Sequence, residues 1–230
     1  MAGETTKTEA ICLRISPWST TSHIVTWLTP VGVVATSVKG AVRPKSAFLG
    51  QYDLNYTCEI VYYLRAHGDL HALRECSPIA LREGLRGDYR ALVMAEHFRA
   101  VAGDLAPSGP DAAEWVDLLA GGLDRLARGR RGLLAEMLRF ETAALRLAGL
   151  SPEIEALDGA FSLRGERKMP IPRAVAECIR DPEAEKNNEI LLDAARAIGV
   201  FYTFHLESAP ETRRAALSMA VNKEEGKIDG

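Results

Sequence analysis

The spacing of apolar residues changes after Pro78, and this change constrains the fold more than any other feature of the chain. Before Pro78, β-branched and aromatic residues occur in short runs without a helical stripe, and residues 55–64 alternate between two faces. After it, apolar residues recur every three or four positions, which is typical of helices with one buried side. The sequence therefore predicts an α+β protein, with a β domain over residues 1–80 and a helical domain over residues 81–230.

The β domain is predicted to contain five short strands. They span residues 9–15, 23–29, 33–38, 55–64 and 70–76. A Pro-Val-Gly turn at residues 30–32 should fold the second strand back onto the third, and His67-Gly68-Asp69 should join the last two. Five strands with a longer connection after the third favour a closed barrel of the OB type, and a small SH3-like barrel is the alternative.

The helical domain is predicted to contain six helices. They span residues 88–105, 112–127, 133–147, about 172–180, 189–206 and 211–221. Prolines and glycines at residues 107–110 separate the first two helices, and Gly149 is a suitable end for the third. Residues 150–172 contain prolines, glycines and several charges, and we expect this segment to be irregular.

One segment of the β domain carries positive charge without any negative charge. No Asp or Glu occurs between Ala10 and Tyr52, although the whole chain has a net charge of −3. The cations of the segment are Arg14, Lys39, Arg43 and Lys45. A long stretch free of carboxylates in an acidic chain indicates a polyanionic partner, and an ordinary solvated loop over residues 39–46 is the alternative.

Aromatic residues of the β domain are candidates for stacking on unpaired bases. Trp18, in a predicted loop over residues 16–22, and Tyr63, on the outward face of its strand, are the best of these candidates. Trp27, Tyr56 and Tyr62 are expected to fill the barrel. Together, Arg14, Lys39, Arg43, Lys45, Trp18 and Tyr63 form the predicted DNA-binding set.

A second basic cluster lies where two predicted helices join. Its members are Arg125, Arg128, Arg130, Arg131 and Arg139. The cluster could contact further phosphates or bind an acidic peptide tail. An ordinary helix–helix connection, in which C-terminal cations complement the helix dipole, explains the same residues.

The chain contains no motif of a known catalytic site. A phosphate-binding glycine loop, a Gly-x-Ser-x-Gly segment and a His-Glu-x-x-His segment do not occur, so we predict that the protein is not an enzyme and name no catalytic residue. The isolated cysteines Cys12, Cys58, Cys76 and Cys178 indicate reduced thiols. Without a secretory signal or a long apolar run, a cytoplasmic protein with no membrane partner is expected.

Several motifs together resemble the RecO family of bacterial DNA repair and recombination mediators. They are Glu-Ala-Ile-Cys-Leu-Arg at residues 9–14, Leu-Thr-Pro-Val-Gly-Val-Val at 28–34, Lys-Gly-Ala-Val-Arg-Pro-Lys-Ser at 39–46, the strand ending at 70–76, Phe-Glu-Thr-Ala-Ala-Leu at 140–145, Leu-Ala-Gly-Leu-Ser-Pro at 147–152, and the terminal helices around 208–217. The resemblance implies an N-terminal OB-fold barrel and a C-terminal helical domain.

The resemblance also implies a function and partners. Members of the family bind single- and double-stranded DNA, anneal complementary strands, and work with RecR and the single-strand-binding protein to load RecA at gaps, without hydrolytic activity. The resemblance also places the basic loop of the barrel on the DNA-binding surface. It further implies that the helical domain binds the acidic C-terminal tail of single-strand-binding protein, and that the protein is associated with the nucleoid.

One segment departs from the family pattern. Many relatives hold zinc with four cysteines after Leu-Ser-Pro, but residues 154–161 here read Ile-Glu-Ala-Leu-Asp-Gly-Ala-Phe, and Cys178 is isolated. A tetrahedral thiolate site cannot be formed by one cysteine. We therefore predict that the protein holds no zinc and no other cofactor.

Two other functions stay open at the level of sequence. A protein-interaction adaptor with weak DNA binding is compatible with the net charge of −3 and the lost zinc cysteines. An RNA-binding OB-fold protein is also compatible, because phosphate contacts and base stacking serve both polymers.

Overall fold

The computed structural model describes residues 4–65, 68–109, 111–129, 132–150, 154–157, 160–163, 169–185, 187–205 and 211–221. The chain forms two compact units. One contains Met1–Glu83 and Ala102–Leu123, and the other contains Gly84–Val101 and Asp124–Gly230. The α+β class is confirmed, because within these described residues a closed five-stranded barrel precedes six α-helices. The division at residue 80 stays a prediction.

The barrel strands follow each other as predicted from the sequence. They are β1 (Thr5–Ser19), β2 (Ser22–Thr29), β3 (Gly32–Val38), β4 (Thr57–Tyr63) and β5 (Leu70–Ala80). Their order around the barrel is β1-β2-β3-β5-β4, with β1 paired to β4. β3 and β5 run parallel, and the other pairs are antiparallel. This is the strand order of an OB barrel, which decides against the SH3-like alternative.

The first and last strands are longer than predicted. β1 begins at Thr5 because residues 5–8 pair with residues 60–63 of β4, although their own sequence is polar. At its other end β1 continues to Ser19, since Ser16 and Pro17 pair with β2. The prediction of a loop over residues 16–22 is therefore wrong, because tertiary pairing outweighs local propensity. Trp18 lies on β1, and the turn consists of residues 20 and 21.

The barrel interior is filled by small and aromatic side chains. Its buried members are Ala10, Cys12, Val25, Trp27, Val38, Ala41, Tyr56, Cys58, Ile60, Tyr62, Leu73 and Cys76. The assignment of Trp27, Tyr56 and Tyr62 to the core is confirmed. Trp27 Nε1 donates a hydrogen bond of 2.8 Å to Thr36 Oγ1, which satisfies the indole inside the barrel.

The β2–β3 turn is covered by the connection that follows the first helix. Gly32 has φ 113°, and a Cβ at this position would lie 3.0 Å from Pro107 O and from Ser108 Cα. Gly109 N donates a hydrogen bond of 3.0 Å to Val31 O. Residues 102–109, which belong to the same compact unit as the barrel, therefore close this part of its outer surface.

The six helices begin and end within one residue of their predicted bounds. They are α1 (Tyr89–Leu105), α2 (Ala112–Arg128), α3 (Leu133–Leu147), α4 (Arg173–Arg180), α5 (Asn188–His205) and α6 (Glu211–Val221). A 3₁₀ turn, Glu83–Gly87, precedes α1. The agreement reflects the length of the helices, since several turns of amphipathic pattern outweigh local exceptions.

The segment over residues 150–172 is not irregular throughout, so this prediction is wrong. It contains β6 (Ile154–Leu157), β7 (Ala160–Leu163) and β8 (Met169–Ile171), which form an antiparallel sheet in this order. Strands of three or four residues are too short to show a recognisable alternation of apolar and polar residues, and the prolines and glycines around them indicate irregular structure. The Asp-Gly pair at residues 158–159 was the available hairpin signal. Residues 151–153, 158–159 and 164–168 lie outside the described part.

A buried ionic network connects helices of the second unit. Arg213 of α6 donates to both carboxylate oxygens of Glu141 on α3, at 2.7 and 2.9 Å, and to Ala195 O on α5 at 2.7 Å. His97 Nε2 lies 2.9 Å from Glu141 Oε1. Burial would raise the pKa of Glu141, but the charge of Arg213 and the hydrogen bond from His97 outweigh burial and keep this pKa below its usual value.

Candidate nucleic-acid interface

The basic loop follows β3 and exposes three cations at the surface of the barrel. Arg43 N donates to Gly40 O at 3.1 Å, and Ser46 N donates to Arg43 O at 2.9 Å, so the loop consists of successive tight turns. Gly40 has φ 66°, and a Cβ there would lie 3.2 Å from Arg43 Cδ. The glycine therefore lets the Arg43 side chain lie across the turn. Lys39, Arg43 and Lys45 are all exposed.

The loop is fixed to the barrel from two sides. Gly40 N donates to Ser22 Oγ at 3.3 Å, and Val42 N donates to Thr21 O at 3.4 Å, which joins the loop to the β1–β2 turn. On its inner side, Ala41 is buried in the core of the barrel. A cation held on an anchored loop loses less conformational freedom when it binds a phosphate than one on a free chain.

Tyr52 closes the same end of the barrel. Its hydroxyl lies 2.8 Å from His23 Nδ1, and its ring makes an edge contact with Trp27 at 6.0 Å between centroids. Burial, and then the nearby thiols of Cys12 and Cys76, raise the pKa of Tyr52. The phenol therefore stays neutral and serves the packing of the loop against the barrel.

The four cations predicted to contact phosphates carry unneutralised charge. Within the described residues, none of them forms an ion pair, and all four are exposed. They are Arg14, Lys39, Arg43 and Lys45. Elsewhere on the barrel, Lys7 lies 2.8 Å from Glu59. Cations without a carboxylate partner keep their full attraction for a polyanion.

Trp18 lies beside the basic loop. Pro17 of β1 pairs with His23 of β2, and His23 pairs with Val38 of β3. Since β1 and β3 run in the same direction, Trp18 and Lys39, which follow Pro17 and Val38, lie at the same end of the barrel. The pairing of β1 shifts between Pro17 and Ser19, which makes Trp18 the extra residue of a bulge. Its side chain is 66% exposed. The structure thus brings the predicted stacking residue to the predicted phosphate-binding loop.

Tyr63 and Arg14 lie at other places on the barrel surface. Tyr63 ends β4, is 39% exposed and carries the guanidinium of Arg74 over its ring, with Cζ 5.7 Å from the centroid. Arg74 was not predicted as a site residue. Its position depends on a bulge in β5, where the pairing shifts between Leu73 and Glu75, and no local sequence signal shows this bulge. Arg14 is exposed on β1, opposite Thr26 of β2.

The second basic cluster is partly neutralised. Arg125 Nε lies 2.7 Å from Glu136 Oε2, an ion pair that joins α2 to α3, and Arg139 forms an ion pair with Glu183. Arg128 is exposed in the last turn of α2. Arg130 and Arg131 lie outside the described residues. The two ion pairs are those of an ordinary helix–helix connection, and a role in binding phosphate or an acidic tail stays a prediction.

No group of three or more His, Cys, Asp or Glu side chains within the described ranges is placed to hold a metal ion. The four cysteines are buried and unbridged. Burial, followed by the charges of Glu185 and Asp181, raises the pKa of the Cys178 thiol to about 11. The helices of the described part include none that is long and apolar enough to cross a membrane.

The strand order and the anchored loop define a protein with an N-terminal OB barrel. In a comparison with known families, the model described as "Recombination protein O N terminal" matches residues 1–82 of the 230 in the chain. The N-terminal domain is therefore similar to that of RecO recombination mediators, and the resemblance drawn from the motifs is confirmed over this domain. The domain implies a role in DNA repair and recombination. No curated protein matches the chain.

Proposed function

We propose that this protein binds single-stranded DNA with the barrel end formed by Trp18 and the basic loop, and that it anneals complementary strands as a RecO-type mediator. The observation that carries the proposal is the set of three exposed loop cations, Lys39, Arg43 and Lys45, beside the exposed Trp18 on a barrel that matches the RecO N-terminal domain. None of the three forms an ion pair within the described residues. Cations that release counterions from phosphates supply affinity, and an aromatic face accepts an unstacked base.

The partners that we propose are those of a mediator. They are single- and double-stranded DNA, RecR, the acidic tail of single-strand-binding protein and, indirectly, RecA. The support is the family of the N-terminal domain, together with Arg128, which is exposed at the end of α2 and available to a carboxylate. We further propose a non-enzymatic, cytoplasmic and nucleoid-associated protein that works without zinc.

The experiment that tests the proposal is fluorescence anisotropy of a labelled single-stranded oligonucleotide, titrated with protein at several salt concentrations. We expect a straight decrease of log K with log salt, because phosphate contacts release counterions. A parallel assay measures annealing of complementary strands coated with single-strand-binding protein. Binding that does not depend on salt, or no binding, contradicts the proposal.

Two further experiments distinguish the mediator from an RNA-binding protein and from a protein-interaction adaptor. An RNA oligonucleotide of matched sequence is used as a competitor, and a clear preference for RNA would favour an RNA-binding barrel. Capture of single-strand-binding protein that survives nuclease treatment, in the absence of direct DNA binding, would favour an adaptor. Equal or better competition by DNA, with direct binding, supports the mediator.

Trp18→Ala is expected to lower the affinity for single-stranded DNA at least about fivefold, because stacking of one base on an aromatic ring contributes about 1–3 kcal/mol. Trp18→Phe should retain most of the affinity, since it keeps an aromatic face. Trp18 is also the exposed tryptophan, whereas Trp27 and Trp115 are buried. Intrinsic fluorescence should therefore be quenched by DNA in the native protein.

The Trp18→Phe variant is the control for that fluorescence signal. It should bind DNA and lose the quenching, because the two remaining tryptophans are shielded from the ligand. Quenching of unchanged size in this variant would show that DNA does not contact Trp18. Far-UV circular dichroism should be the same in both variants, since an exposed side chain contributes little to the core.

A further inference from the structure

Arg74 lies at a bulge of β5 that turns its side chain to the surface. Glu75 pairs with Val61 and Leu73 pairs with Tyr62, which leaves Arg74 as the extra residue between them. Leu73 points into the barrel core, and Arg74 is exposed. A bulge of this kind changes the direction of one side chain without ending the strand.

The guanidinium of Arg74 covers one face of an exposed tyrosine. Tyr63 pairs directly with Ala72, so Arg74 is its diagonal neighbour across β4 and β5, with Cζ 5.7 Å from the ring centroid. Arg74 Nε also lies 3.2 Å from Glu75 Oε1, but both side chains of this pair are about half exposed or more, and such pairs are weak. A guanidinium on an aromatic ring offers donors to a phosphate beside a stacking surface.

The strand register connects this pair to the basic loop. Ser37 of β3 pairs with Ala72 of β5, and these two strands run parallel. Lys39 and Arg74 each lie two residues beyond that pair in the same direction, so they lie at the same edge of adjacent strands. The surface therefore presents Lys39, Arg74 and Tyr63 in a row across β3, β5 and β4.

The row continues to Trp18 on the other side of Lys39, as the β1–β2–β3 register shows. From β1 to β4 it winds around the closed barrel over four of its five strand spacings, which are about 4.8 Å each, or roughly 19 Å measured from backbone to backbone. OB barrels occupy about 4–16 nucleotides of a single strand, and a path of this length fits the lower part of that range.

The β2–β3 face, which OB barrels commonly use for oligonucleotides, is less suited here. Three apolar residues outside the interior cluster of the barrel are nevertheless buried, which shows that other parts of the chain cover them: Ile11, Leu13 and Leu28. Gly32 is in contact with residues 107–108. This part of the face is thus closed by protein of the same unit. The outward residues that stay at least partly exposed on β2 and β3 carry neither charge nor an aromatic ring. They are Ser22, Ile24, Thr26, Val33 and Ala35.

We infer that a bound single strand crosses the barrel over β3, β5 and β4, from Trp18 and the basic loop to Tyr63, and that Arg74 and Tyr63 form a second site for a phosphate and a base. The inference rests on the proposed function, because it specifies the route of the same ligand. Its ligand class is single-stranded nucleic acid of at least several nucleotides.

The test compares variants of the whole chain by anisotropy on a single-stranded 15-mer and a 4-mer. Arg74→Ala should lower the affinity for the 15-mer about fivefold and reduce the salt slope by about 0.7, the value for one phosphate contact. Tyr63→Ala should lower it by at least about fivefold, and Tyr63→Phe by less than about twofold. Arg173→Ala, which removes one exposed cation from α4, is the matched control and should bind as the native protein does.

A pair of added charges tests the route itself. Ala72→Glu places a carboxylate beside Tyr63 and two residues before Arg74 on the same strand, and we expect a loss of at least about tenfold on the 15-mer. Val33→Glu adds the same charge on the β2–β3 face, where Val33 is exposed and pairs with Leu28, and should change the affinity less than about twofold. A larger effect of Val33→Glu than of Ala72→Glu would overturn the inference, as would unchanged binding by both Arg74→Ala and Tyr63→Ala.

The failure of this inference is distinguishable from failure of the proposed function. If the native protein binds DNA and loses affinity when the basic loop is neutralised, while the Arg74 and Tyr63 variants bind normally, only the route is wrong. If the native protein binds no single strand, both statements are wrong. Circular dichroism of each variant confirms that a loss of binding is not a loss of folding.

Discussion

Replacement of Lys39, Arg43 and Lys45 by glutamine is expected to lower the affinity for single-stranded DNA at least about tenfold and to reduce the salt slope by about two. The three cations are exposed, and none forms an ion pair within the described residues, so each is free to release counterions from a phosphate. Glutamine keeps the aliphatic part of Arg43 over Gly40, where alanine would leave the turn uncovered. The measurement is anisotropy between low and physiological salt.

The matched control removes the same charge from the second unit. Arg173, Arg196 and Arg214 are exposed on α4, α5 and α6, and their replacement by glutamine also removes three positive charges from a chain of net charge −3. If the cations act only through long-range attraction, both triple variants should lose the same affinity. If the loop cations contact phosphates, only the loop variant should lose affinity. Equal losses would show that the loop is not the binding surface.

The comparison matters because the net charge of the chain gives no support to DNA binding. Residues 10–52 carry four cations and no carboxylate, while the acidic residues are concentrated elsewhere. Screening in physiological salt limits exposed charges to an effective range of about 8 Å. The field near the loop therefore depends on its own cations far more than on distant glutamates, and a locally basic surface on an acidic protein can attract a polyanion.

Sequence reasoning identified the elements whose signals are local or repeated. The helix α3 was predicted with its observed bounds because fifteen residues of amphipathic pattern lie between a glycine-rich connection and Gly149. The basic loop was identified because the absence of carboxylates extends over more than forty residues. Neither feature requires knowledge of what lies opposite in the fold.

Features that depend on pairing were missed or assigned for the wrong reason. Residues 5–8 look polar and become a strand only because β4 lies beside them. The sequence predicts Trp18 in a loop, but the structure places it at a bulge near the end of β1, where it is exposed. Arg74 was missed entirely, since its contact with Tyr63 depends on the register of β5 against β4. A bulge is a property of two strands, and one strand alone does not reveal it.

The motif over residues 140–145, which contributes to the resemblance to RecO, has a structural explanation. Phe140 stacks on Phe98, and Glu141 holds Arg213 and His97 inside the second unit. A glutamate on a helix is ordinarily assigned to the solvated side, and here it is fully buried. The side chain therefore belongs to the packing of the helices α1, α3, α5 and α6.

Glu141→Gln is expected to lower the free energy of unfolding by about 3–5 kcal/mol, the effect of leaving one partner of a buried ion pair uncompensated. Glutamine has nearly the same volume, so the loss reports charge and hydrogen bonding and not a cavity. The measurement is urea denaturation followed by circular dichroism at a helical wavelength. Asp193→Asn, which breaks the exposed pair with Arg196 on α5, is the control and should cost less than about 1 kcal/mol.

The double variant Glu141→Leu with Arg213→Met should lose less stability than Glu141→Gln alone, because no charge remains buried without a partner.

The dependence of stability on pH provides a second check of the buried ion pair. The pKa of Glu141 in the folded protein lies below its ordinary value of 4.5, so the network stabilises the native state above that pH, and the stabilisation is lost as the pH falls through the lowered pKa. The difference between native protein and Glu141→Gln should therefore shrink in acid. A difference that is constant from pH 7 to acid would mean that the charge of Glu141 does not hold α3 to α6.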